Sequence, residues 1–271
     1  VAKLQFIWDR FIDSAGQSII ALGIGLILFT MLERMFQFSP VKKSWRANLL
    51  DLQYAFLSML YPPFLYFILA AIFGWLSVQM RAATHNDGLS PVWFSAQLFG
   101  VLLARDVLIY IRHRLFHTRP VWAFHSIHHS SEEVNWLSAV RFHPAENLIE
   151  AAGETILFLA CQQLGVDALV LAVAGVTIGF YNFLIHSNLR WTFGPLKYLF
   201  VSPVFHRWHH SDAPAAQDKN FAAMFSCLDL VCGTFYMPAD AAPDTLGLSG
   251  EEKAKHPRGL FSQIFYPFRK R

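Results

Sequence analysis

Residues 92–117 read VWFSAQLFGVLLARDVLIYIRHRLFH. From Val92 to Ile111 the stretch is almost wholly apolar, interrupted by Arg105-Asp106, and it has the length of about 20 helical residues that crosses a bilayer core. It then ends in His113-Arg-Leu-Phe-His117. On a helix, positions i and i+4 share a face, so both imidazoles can turn toward one ion. A segment of hydrocarbon length predicts a membrane protein, and the paired histidines at its end are a first candidate for a metal site at the rim of the bilayer.

The rest of the chain extends the membrane half of that reading. Apolar residues make up 54% of the 271 positions and charged residues 15%, against roughly 25% charged in a typical soluble domain. Mean hydropathy is +0.34. Ala15 to Leu32 forms an uncharged first span closed by Glu33 and Arg34, after an interfacial segment over 1–14 where apolar and charged residues alternate. Leu52 to Met80 is uncharged, and Pro62-Pro63 in its middle predicts a kink or break. A fourth span over 148–164 carries Glu150 and Glu154 one turn apart. A fifth, Ala168 to Ile185, holds Gly175-x3-Gly179, a small-residue pair that allows close helix contact.

The expected architecture is an all-α integral membrane protein, one domain over 1–271 with four to five transmembrane helices. Spans one to three lie within 15–111, a histidine-rich segment over 112–147, a membrane hairpin over 148–186, and a cap and tail over 187–271. Lys and Arg concentrate in 37–48, 112–145 and 187–271, which places the histidine-rich helical cap in the cytoplasm. Net charge is +3 with no basic block in the interior, so no nucleic-acid partner is expected. Three cysteines are too few for a disulfide framework; Cys161, Cys227 and Cys232 read as reduced and structural, with metal ligation a second choice.

Histidine is the second anomaly. Ten of the twelve lie between His113 and His210. Beyond the first pair stand His125-x2-His128-His129 and His206-x2-His209-His210, two copies of one spacing. Any one of these groups alone reads as readily as a solvated polar face. Together, on one side of a membrane, they predict a dinuclear metal site with nitrogen ligands. His186 ends the fifth span with Asn182 one turn before it, and reads as a ligand or as a complement to the helix dipole. His143 precedes Pro144, where a helix would open, and reads as a ligand or a cap. His85 and His256 are bystanders.

Carboxylates inside spans are costly and need partners. Asp106 stands two turns before His113 on a similar face and is expected to support an imidazole by a hydrogen bond. Glu150 and Glu154 would do the same or pair with Arg105. Imidazole ligands suit zinc, copper, iron or nickel alike. No H-E-x-x-H is present, so a zinc protease of that type is unsupported. A metal carrier and a two-metal hydrolase remain as alternatives. The fifth span has almost no polar residues to line a carrier's path. A hydrolase would run with zinc and without O2.

The sequence resembles the fatty acid hydroxylase/sterol desaturase superfamily of membrane histidine-box di-iron enzymes. The resemblance rests on Asp106-x3-Tyr110-x2-His113-Arg-Leu-x-His117, His125-x2-His128-His129, Arg141-x-His143-Pro-x-Glu146, His186-x-Asn188 and His206-x2-His209-His210. Asp218-Lys-Asn-Phe221 and the run over 232–238 look similar too. It implies O2-dependent hydroxylation, or the related desaturation, of a lipid. It implies two iron ions, which zinc could replace in a purified sample, with O2 as co-substrate. It makes His113, His117, His125, His128, His129, His206, His209 and His210 ligands, with His186 and His143 as further candidates and Asp106, Asn182 and Glu146 as residues supporting them. Asn182 departs from acyl-chain hydroxylases, which carry histidine there. Electrons are expected from a separate ferredoxin- or cytochrome-type protein. A bacterial inner membrane is the expected location, the endoplasmic reticulum the alternative.

Overall fold

The computed structural model describes residues 20, 22–38, 44–59 and 90–269. The interfacial segment over 1–14, the start of the first span, the Pro62-Pro63 region and His85 lie outside the described residues. Within them the chain is helical, and the only strand-like pairings are the isolated bridges Gln37–Leu189 and Ser211–Leu246. In chain order the helices are α1 over residues 22–36, α2 (Trp45–Ser58), α3 (Pro91–Phe116), α4 (Arg119–His129) and α5 (Pro144–Gln163). Then come α6 (Ala168–His186), α7 (Pro203–His209), α8 (Cys227–Cys232), α9 (Gly250–Lys255) and α10 (Leu260–Ile264).

Local chemistry sets the ends of the long helices. The Ser90 hydroxyl accepts from the Trp93 amide, with Pro91 opening α3. Asp167 caps α6 by accepting from Leu169. At α5 the cap is His143, with Pro144 in the first turn, as the His-Pro pair predicts. Helix α3 runs on past Ile111, so His113 sits in its last turn and His117 is its C-cap.

Helices α3 and α6 are long and apolar enough to cross a membrane. Only 22% and 28% of their apolar windows are buried, and Val92, Phe99, Ile111 and Val176 point outward. A core helix of a water-soluble domain would hide most of that surface; hydrocarbon accounts for its exposure. Among the described residues the Gly175-x3-Gly179 pair makes no close helix contact. A Cβ at Gly175 would meet only a Phe158 ring carbon at 3.9 Å, and one at Gly179 nothing within 4 Å.

Helices α3 and α5 are joined by charge. Arg105 pairs with Glu154 at 2.8 Å and Glu150 at 3.4 Å, and Arg112 pairs with Glu150 at 3.1 Å. The two glutamates that the sequence reading places in a span are therefore ion-pair partners, the arrangement that makes a charge tolerable in apolar surroundings. Cys161 is a free thiol in the cluster of Val101, Val170 and Ala174. Two apolar clusters hold the histidine-bearing ends together. Phe29, Trp136, Leu137, Ala139 and Phe183 tie α1 and α6 to the 3-10 turn Trp136–Val140. Tyr110, Ile185, Val201, Phe205, Phe221 and Ala222 pack where the ends of α3, α6 and α7 meet.

Candidate metal centre

Nine histidines converge in two groups. His113, His117, His125, His129 and His209 form the first; His128, His186, His206 and His210 form the second. Within each group the candidate ligand nitrogens lie within 4.8 Å of one another. Each H-x2-H-H motif is divided between the two groups. On a helix i and i+4 are about 40° apart, whereas i+3 lies about 60° to the other side. His125 and His129 therefore face the first group while His128 faces the second, and His206 and His210 face the second while His209 crosses to the first. Each motif gives two ligands to one group and one to the other.

The unbonded lone pairs test whether metal fits. His113 donates from Nδ1 to the Phe221 carbonyl at 2.8 Å, and His125 from Nδ1 to Glu146 Oε1 at 2.7 Å. Each Nε2 is then unprotonated, and the two Nε2 atoms face each other at 3.1 Å. In the second group His128 donates to the Arg141 carbonyl at 3.2 Å and His186 to the Asn182 carbonyl at 2.8 Å. Their Nε2 atoms are 3.2 Å apart, and His206 Nε2 lies 3.0 Å from that of His186. Facing lone pairs at that distance repel unless a cation sits between them. With metal–nitrogen bonds of about 2.0–2.1 Å, such spacings correspond to neighbouring ligands about 90–105° apart on one ion. Nε2 of His117 and His209 is buried without a hydrogen-bond partner. The donor set fits a pair of first-row metal ions.

Burial keeps the imidazoles of His125, His128, His129, His206, His209 and His210 well below their usual titration range, and the neighbouring rings push the same way. These rings are neutral at physiological pH, the form that binds metal. His117 is also lowered by burial, opposed by its 3.1 Å hydrogen bond to Asp218. That bond holds the Asp218 carboxyl below its ordinary range. Phe142 stacks on the His128 ring at 4.2 Å. Arg141, whose carbonyl orients His128, is ion-paired with the fully buried Asp51. A cavity of about 230 Å³ opens on His117, His129 and His209, with Trp122, Asp218 and Glu252 in its wall.

Several expected roles change. His143 stands outside both groups: its Nδ1 accepts from the Ala145 amide at 3.0 Å and its Nε2 donates to the Ile264 carbonyl at 2.9 Å. Both ring nitrogens are thus used in capping and tying down the tail. Asp106 touches no imidazole. It accepts from the amides of Ala223, Met224 and Phe225, because its side of α3 faces a loop distant in sequence. Asn182 supports His186 through its backbone carbonyl, while its side chain donates to Ala139 at 3.2 Å. Glu146 does meet an imidazole. The carbonyls of Arg141, Lys219 and Phe221 were invisible to residue-type reasoning, since a backbone acceptor carries no sequence signature.

Fold and site together define a helical protein with membrane-length helices ending at two histidine groups able to hold metal. The fatty acid hydroxylase family matches residues 98–234, just over half of the chain and including both groups, and the chain belongs to this family. An ornithine lipid hydroxylase of Rhizobium tropici is 32% identical over 180 residues, covering 66% of this chain and 51% of that protein. Alkylglycerol monooxygenases of Caenorhabditis elegans and Homo sapiens are 31% and 32% identical, covering 62% and 53% of this chain and 31% and 30% of those proteins. The chain thus spans about half or less of the length of these curated relatives. No solved structure matches it.

Proposed function

We propose that the chain is the catalytic region of a membrane di-iron oxygenase that hydroxylates an unactivated C–H bond of a lipid. The observation that supports this most is the pairing of unprotonated Nε2 atoms, His113 with His125 at 3.1 Å in one group and His128 with His186 at 3.2 Å in the other. His113, His117, His125, His129 and His209 would hold one ion, and His128, His186, His206 and His210 the other. Two iron ions there would supply O2 activation with electrons from a separate ferredoxin- or cytochrome-type protein, for the overall conversion RH + O2 + 2e⁻ + 2H⁺ → ROH + H2O.

The chain's own part is positional. Oxygen acceptors on Nδ1 of His113, His117, His125, His128, His186 and His209 fix which nitrogen carries the proton and where each ring points. Phe142 stacks on the face of the His128 ring and Phe221 packs edge-to-face with His113, so apolar surface borders both rings. The exposed apolar sides of α3 and α6 meet the bilayer, from which a lipid chain reaches the groups. The names of the three relatives denote a lipid hydroxylase and alkylglycerol monooxygenases, which favours hydroxylation over desaturation. In this reading four to five spans cross a bacterial inner membrane, and the Lys and Arg distribution supports a cytoplasmic position for the cap that carries the metal groups. Neither group includes a carboxylate among the described residues, which disfavours a two-metal hydrolase.

Mass spectrometry of lipids from cells with and without the protein tests the reading. A lipid species that gains one oxygen atom, and fails to do so with a folded His128→Ala variant, is the expected result. Loss of two hydrogens instead would make it a desaturase. Full turnover by that variant, or turnover without O2, would contradict it.

A further inference from the structure

The loop from Asp218 to Phe225 lies outside every histidine motif, yet three of its residues meet imidazoles. Asp218 Oδ1 accepts from His117 at 3.1 Å, the Lys219 carbonyl from His209 at 2.7 Å, and the Phe221 carbonyl from His113 at 2.8 Å. These are three of the five histidines in the first group. Aiming acceptors from successive residues at one centre needs an unusual backbone. Asp218 and Asn220 have φ of 56° and 60°, a region that residues with side chains rarely occupy.

What holds the loop is a set of buried side chains. The Asn220 amide donates to the Thr234 carbonyl at 2.9 Å. Asp229 accepts from the amides of Phe221 and Ala222 at 2.8 and 3.0 Å, and from the Thr234 hydroxyl at 2.7 Å. Asp106, on α3, accepts from Ala223, Met224 and Phe225 at 2.9, 3.1 and 2.6 Å. Every backbone amide from Asn220 to Phe225 is thereby bonded, without a strand partner. The Asn220 side chain donates to the carbonyls of Phe205 and Tyr236 and accepts from the Tyr236 amide. Asp106, Asn220 and Asp229 are all fully buried. Burying two carboxylates is unfavourable unless their hydrogen bonds compensate, and here six of those bonds go to amides and a hydroxyl of this loop and its anchor. With its amides committed inward, the loop presents the carbonyls of Lys219 and Phe221 to the histidines.

We propose that Asp106 and Asp229 are positioning residues for one metal ion of the pair. By clamping the loop over 218–225 they fix the orientation and tautomer of His113, His117 and His209. No hydrogen bond from the loop reaches His128, His186, His206 or His210, so the effect is confined to the first group. The inference rests on the two-ion reading above.

The test is metal binding to the full chain, loaded with Fe(II) under anaerobic conditions and titrated against a competing chelator. Wild type should hold two ions; if it holds fewer, the two-ion reading fails before this one is reached. In a His206→Ala background, where the first group holds the remaining ion, Asp229→Asn should weaken binding about 10–100-fold. In a His209→Ala background, where the second group holds it, Asp229→Asn should leave affinity unchanged. Should Asp229→Asn fail to fold, Asp106→Asn replaces it in the same two backgrounds, and Asp218→Ala, at a side chain that is 71% exposed, reads the loop's direct hydrogen bond to His117. Asp218→Asn, which keeps an acceptor oxygen, should restore binding. Equal weakening in both backgrounds, or none in either, would overturn the proposal.

Discussion

In the first histidine group, Nδ1 of His113, His117, His125 and His209 each donates to oxygen, and three of the four acceptors come from one irregular loop. In the second, His128 and His186 donate to the carbonyls of Arg141 and Asn182, while Nδ1 of His206 and His210 is buried without a partner. The first group also borders a cavity; that cavity's wall includes none of the second group's histidines. One histidine group is therefore shaped by a loop wrapped over it and is reachable from outside. The other is shaped by where α4, α6 and α7 end. Similar imidazole chemistry can be preorganised by side chains and loop carbonyls or by helix packing, and the two should fail in different ways.

Removing a ligand should have the largest effect. His209→Ala and His206→Ala should each leave one ion, in opposite groups. Each should lower lipid turnover by more than the about 10–100-fold typical of losing an orienting partner, as read by metal analysis and product mass spectrometry. Loss of both ions from either variant would break the separation between the groups.

Acidification should come next. In the metal-free protein the folded-state titration of His125, His128, His129, His206, His209 and His210 lies well below the ordinary 6.5. Their neutral rings favour the folded state. That contribution is fully present above the unfolded value and is lost as pH falls below it, because the unfolded chain takes up protons the folded chain refuses. The slope reaches at most about 1.4 kcal/mol per pH unit for each ring. Melting temperature of the metal-free protein should therefore fall between about pH 7 and pH 5. Asp218 opposes burial at His117, and no carboxylate contributes comparably at His206, so His206→Ala should flatten the profile more than His117→Ala. The opposite ranking would contradict the comparison.

Glu146→Ala should act on the first group alone. Removing the acceptor of His125 should weaken that ion by about 10–100-fold, measured by chelator competition in the His206→Ala background, with the second ion unchanged. The smallest effect belongs to His143→Ala. Loss of the α5 cap should cost about 1 kcal/mol of stability by thermal melting and leave the metal content at two. A lost ion would return His143 to the ligand set.

Much of this was legible in the sequence because local periodicity carries it. Hydrocarbon length located α3 and α6, His143-Pro144 located the start of α5, and i, i+4 spacing paired His113 with His117. The split of each H-x2-H-H motif between two groups was not legible, since which ring faces which ion depends on how α4 and α7 are turned against each other. Asp106 shows the same limit. Its two-turn distance from His113 invited a hydrogen bond within one helix. The chain instead folds residues 223–225, more than a hundred positions later, onto that carboxylate. Among the described residues the Gly175-x3-Gly179 pair lacks the close contact that the pattern suggested.

The central claim is that nine histidines form two distinct ion positions. Metal-to-chain stoichiometry of the iron-loaded protein, with its His209→Ala and His206→Ala variants, tests it most directly. The account predicts two ions in the wild type and one in each variant. A single ion in the wild type, or no bound metal at all, would contradict it.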